Sequence, residues 1–121
     1  MANTETDAVR RVIDRYIEGS SKGDVNLLKA LFHPQALMSG YLRGELEVGS
    51  PEPFFEAVSN NLSALKAGTY TAEITLIDVT GNAATAILKE NGFLGMNFTD
   101  YFHLLKTGND WKIIAKTYTQ Y

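Results

Sequence analysis

Two histidines, His33 and His103, are the side chains whose ordinary titration falls near neutral pH. Cysteine is absent, which removes thiolate nucleophiles, disulfide frameworks and Cys-rich zinc sites. The histidines stand far apart, with no H-x-H or H-E-x-x-H spacing, so neither a metal nor a cofactor is expected. Ser20, Ser21, Ser39 and Ser50 lack a nucleophile-elbow context, and Gly92 and Gly95 read as a loop rather than a phosphate cradle. Acid/base groups are left as the plausible catalysts, and His103 and Asp100 lie close together in the segment FTDYFHLLK. If that segment is a strand, alternation puts Thr99, Tyr101, His103 and Leu105 on one face and Phe98, Asp100, Phe102 and Leu104 on the other. The two cannot then form a simple dyad.

The elements that must position these groups fit one domain over residues 1–121. The chain is 45% hydrophobic, enough for a real core without metal or disulfide staples. Lys+Arg 11 against Asp+Glu 14 gives a net charge of −3 with no basic face for a nucleic acid. The longest apolar run is three residues, as in Ile113-Ile114-Ala115, so no membrane span is expected. MANTETDAVRR lacks the apolar stretch of a signal peptide, and a cytoplasmic protein is expected.

Val9, Val12, Ile13, Tyr16 and Ile17 recur with a 3.6-residue period, predicting a helix over residues 4–20. Asp24 starts a second, short helix that ends before Pro34. A strand over 35–42 and a loop or irregular hairpin over 43–49 follow. Ser50-Pro51 opens a third helix, with Phe54, Val58, Leu62 and Leu65 as its apolar stripe, to end near Gly68. Four strands complete the chain at 70–79, 83–90, 98–106 and 111–121, with a longer connection over 91–96. Short connections require antiparallel neighbours, so the expected class is α+β: helices on one face of a curved antiparallel sheet.

The order resembles the nuclear transport factor 2-like (cystatin-like) fold. RYIEGSSKGDVNLLKALFHPQALMSG at 15–40 is similar to that superfamily's helix–GD–helix opening, and DYFHLLKTGNDWKIIAKTY at 100–118 to its closing hairpin. Among its branches the chain looks most like the SnoaL-like and lumazine-binding proteins. The resemblance implies a cone whose concave sheet face and helices enclose an apolar pocket, and a homodimer through the opposite sheet face.

In the ketosteroid isomerases of this superfamily, an aspartate moves a proton beside a carbonyl while a tyrosine and a protonated acid hold the enolate oxygen. Carried over by motif, Tyr16 matches the tyrosine and His103 the second donor. The base position falls on Gly40, so that reaction lacks its base. The SnoaL-like cyclases imply pocket acids and histidines instead, here His103, His33, Asp100 and Glu90. The resemblance also turns Lys116 and Tyr118 toward the pocket beside Tyr101 and His103. Plainer readings stand beside these. Tyr16 reads as core with a satisfied hydroxyl, His33 as a helix-end residue, and Tyr101 and Tyr118 as interface aromatics.

The expectation is a small-molecule binder with an apolar pocket and polar tips from Tyr16, Tyr101, His103 and Tyr118, walled by Met38 and Phe55. The alternatives are a cyclase-, dehydratase- or isomerase-like enzyme using His103 and Tyr16, and a dimeric interaction module with a filled cone.

Overall fold

The computed structural model describes residues 4–121. The first helix, α1 (Thr4–Lys22), buries Val9, Ile13 and Tyr16, the stripe its periodicity predicts. Gly23 ends it in the left-handed region, and the Asp24 carboxylate caps α2 (Val25–Leu31) by accepting the Leu27 N–H.

Next comes β1 (Phe32–Leu42), which starts earlier than expected and takes in Pro34. The register shifts between Phe32 and Leu37, where Pro34 has no N–H to give to a ladder. Residues 43–49 form a true hairpin. Arg43 and Gly44 both have positive φ, the two-residue turn that matches strand twist, and β2 (Glu45–Glu47) returns along β1.

The expected third helix is two. The first piece is α3 (Glu52–Asn60), and the second is α4 (Leu62–Ala67). Asn61 leaves helical geometry at the join, while its side chain donates to the Ala57 carbonyl at 2.7 Å. That local hydrogen bond offers the backbone an alternative to continuing the helix.

Four strands close the chain: β3 (Thr71–Thr80), β4 (Ala83–Phe93), β5 (Met96–Thr107) and β6 (Asp110–Gln120). The expected longer connection over 91–96 is instead strand joined by a two-residue turn. Leu94 and Gly95 both take positive φ there, so β4 and β5 extend toward each other. The sheet order is β2-β1-β6-β5-β4-β3, antiparallel throughout except for the parallel β1–β6 pair.

The helices cover one sheet face. Leu88, Phe102, Leu104 and Ile113 from that face meet Val9, Ile13, Leu28 and Val58 in a core that is essentially dry. Among the described residues no helix is long and apolar enough to cross a membrane.

Candidate functional site

The covered face of the sheet is set by β5. Phe98, Asp100, Phe102 and Leu104 are buried, and Tyr101, His103 and Leu105 are exposed. A stripe of two phenylalanines and a leucine belongs against the helices, and it carries Asp100 inside with it. The expectation that Tyr101 and His103 face the pocket is therefore corrected: both lie on the outer face, with Tyr101 44% exposed.

The neighbouring strand shows which phase is inward. Asp100 pairs with Tyr118 and Phe102 with Lys116, so Lys116 and Tyr118 share the inner face with Asp100, not with His103. Between Ala115 and Ile113 the register slips, leaving Ile114 as the extra residue of a bulge. Below the bulge the inner residues are Ile113 and Trp111. Alternation counted through Ile114 therefore joins the wrong halves of β6.

A cavity of about 360 Å³ opens between the inner sheet face and α3. Its walls are mostly apolar, with Met38, Leu42, Phe54, Phe93, Met96 and Phe98. The nearly fully buried Tyr16, Glu90 and Lys116 line it too, as do Tyr118 and Glu47. Of the candidates singled out from sequence, Tyr16, Met38, Tyr118 and Glu90 line this space. Phe55 does not: it is buried one residue further round α3, edge-on to Phe32 and beneath the Lys29 ammonium. His33 stands at the start of β1, where its Nδ1 accepts the Gln35 N–H at 3.0 Å, and it does not line the cavity.

Gly40, the expected base position, is where β1 meets Tyr118. A Cβ there would stand 2.0 Å from the Tyr118 carbonyl oxygen and 2.7 Å from its ring. The aromatic ring occupies the place where a longer side chain would reach the cavity.

The residue sequence reasoning passed over is Lys116. It was placed on the pocket face and given no role. Its Nζ donates to the Tyr16 hydroxyl at 2.5 Å and stands 3.7 Å from Asp100 Oδ2. Three rings surround it, with centroids at 4.6 Å (Phe54), 5.0 Å (Tyr16) and 5.4 Å (Tyr118). Such faces hold a cation well. The available signal was a lysine amid the buried alternation of a central strand, because an unpaired lysine is seldom fully buried.

The carboxylates around it are unequal. Asp100 is completely buried, and neither of its oxygens has a hydrogen-bond partner among the described residues. Burial pushes its carboxyl well above the usual range, the Lys116 charge opposes that, and Glu90 adds to it. Glu90 accepts a short hydrogen bond from the Tyr70 hydroxyl. Tyr16 is likewise pushed far above the ordinary phenol by burial, then by Glu90 and Asp100, so it is a hydrogen-bond donor rather than an ionised group. At another wall of the cavity, Tyr118 donates to Glu47 at 2.5 Å. Among the described residues no three His, Asp or Glu side chains converge as metal ligands would.

With this geometry in view, comparison with known proteins supplies the family. The "Putative lumazine-binding" family model matches residues 4–119. The chain belongs to that family, within the nuclear transport factor 2-like superfamily. An NTF2-like protein of unknown function from Shewanella baltica OS155 is 28% identical, with a TM-score of 0.84 over 98% of this chain and 94% of its own. Another, from Methylobacillus flagellatus KT, superposes with a TM-score of 0.89 at 24% identity, covering 100% and 95% of the two chains, and so shows the fold alone. The aldolase FrzH of a Cladobotryum species is 26% identical across all of this chain and 95% of its own length.

Proposed function

We propose that this member of the lumazine-binding family binds a small, largely apolar carbonyl compound and transfers a proton at the carbon beside that carbonyl. One observation carries the reading: a mostly apolar cavity is lined by the buried side chains of Tyr16, Lys116 and Glu90. A tyrosine hydroxyl and a lysine Nζ in contact form a pair of donors for a developing oxyanion. Glu90, oriented by Tyr70, takes the part of the base that Gly40 lacks. His103 has no part in this version, because it stands on the other face of the sheet.

The resemblance to an aldolase supports the same chemistry, since aldol reactions begin or end with an enolate. The open cavity favours a ligand over a bare interaction module. The test is deuterium exchange at the α-carbon of aryl ketones such as acetophenone, followed by NMR. Glu90→Gln should slow exchange by about 10²–10⁴-fold. An unchanged rate in that variant, or no exchange with any ketone of suitable size, overturns the proposal.

We also propose that the outer sheet face forms a homodimer. Leu76, Ile87 and Tyr101 pair across β3, β4 and β5 as an apolar row on that face. Sedimentation should find a dimer that Tyr101→Glu converts to monomer, and a monomeric wild type refutes it.

A further inference from the structure

Oxyanion binding alone does not account for Lys116. The Tyr16 hydroxyl suffices as a donor, and a lysine stem threaded through the apolar wall brings desolvation with it. The pair it forms with Asp100 is 4% and 0% exposed in its side chains, at a loose 3.7 Å. Buried pairs of that kind are commonly matched or bettered by apolar residues of similar volume, so folding does not explain the arrangement. The nitrogen instead has what a reacting amine needs. It reaches the cavity, it has the Asp100 carboxyl beside it with Glu90 close to that carboxyl, and aromatic faces surround it.

Resting on the carbonyl-ligand reading above, we propose that Lys116 is a Schiff-base lysine, whose Nζ condenses with an aldehyde or ketone held in the cavity. The ammonium first passes a proton to Asp100, leaving a neutral amine and a carboxylic acid. The nitrogen lone pair then forms a bond to the carbonyl carbon, and the carbonyl π electrons move onto oxygen. A nitrogen-bound proton moves to that oxygen, giving a carbinolamine. Asp100 returns its proton to the carbinolamine hydroxyl, which leaves as water while the nitrogen lone pair completes the C=N bond. The products are an iminium cation, water and the Asp100 carboxylate, so charge and atoms balance.

The positive charge begins and ends on one nitrogen, between the same three rings and beside the same carboxylate. The burial that pushes Asp100 toward its protonated form assists the first transfer. The iminium is a stronger electron sink than the carbonyl it replaces, and Glu90 stands ready to take the α-proton.

The probe is benzaldehyde with sodium cyanoborohydride on the intact chain, read by peptide mapping. Lys116 should gain one benzyl group on the order of 10²-fold faster than the surface residues Lys29, Lys66 and Lys89, and Asp100→Asn should slow only the Lys116 reaction, by about tenfold or more. Labelling of Lys116 no faster than those surface lysines overturns the inference, and this arm uses the wild-type chain, so no variant has to fold. Acetophenone exchange in the same preparation separates the two proposals. Slow labelling with ketone exchange intact removes the covalent step alone, whereas slow labelling with exchange absent removes both.

Discussion

Two lysine–carboxylate pairs join distant parts of this fold, and they obey opposite rules. Lys106 and Glu5 meet at 3.0 Å with 26% and 37% of their side chains exposed, and the Trp111 indole N–H completes the carboxylate at 2.8 Å. Lys116 and Asp100 stand 3.7 Å apart with almost no exposure, and the other group beside the carboxyl is a second acid, Glu90. Hydrogen bonding from Lys106, then from Trp111, holds Glu5 below the usual carboxylate range. Burial drives Asp100 the other way. The first pair ties α1 to the sheet hairpin and asks for no functional explanation. The second is costly to bury and returns little to folding, and that contrast is the ground for the proposal of a chemical role.

The largest effect expected from this contrast is that of Lys116→Met. It leaves Asp100 buried without a counter-charge, a loss of about 3–5 kcal/mol. A carboxyl whose folded pKa is raised contributes its stability at low pH and loses it as pH rises. The deficit in chemical denaturation should therefore be small at acidic pH and grow through neutrality. Adding Asp100→Leu removes the stranded group, and the double variant should equal wild type or exceed it by about 1–4 kcal/mol. A double variant as unstable as the single one would show that the pair serves folding, and the comparison would break.

How far the sequence could show this contrast depends on what breaks a period. Helix α1 was legible because five apolar residues keep one phase, and Tyr16 came with them. The split of the third helix at Asn61 was not, since a side chain bonding back to Ala57 leaves the apolar stripe intact. On β5 alternation separates the two faces, but the resemblance points to the His103 face and the Phe98–Phe102–Leu104 face is the one that packs. Volume decides such cases, and His103 is an inexpensive surface residue while Asp100 follows its apolar neighbours inside. On β6 the Ile114 bulge leaves no trace in residue type. Glu90 was visible as an acid and Lys116 as a pocket-face residue, but their meeting with Tyr16 depends on three elements converging, which spacing along one strand cannot express.

The smallest effect belongs to the exposed pair, and its response to salt is the sharper test. Glu5→Gln removes the charge that faces Lys106 while leaving an oxygen for the Trp111 N–H. Near neutral pH the variant should lose about 1–4 °C in Tm, in keeping with a partly exposed pair. A carboxylate whose folded pKa is lowered contributes stability above its unfolded value, near 4.3, and loses it as pH falls through the folded value. Wild type and Glu5→Gln should therefore converge on acidification, where Glu5 itself becomes neutral, and high salt should narrow the gap at pH 7. The Lys116→Met deficit also grows from acid toward neutrality, but a buried pair is screened far less, so salt should leave it nearly unchanged. If salt narrowed both deficits alike, the two pairs would not differ as their surroundings require, and the case for Lys116 and Asp100 as a chemical rather than structural pair would lose its physical ground.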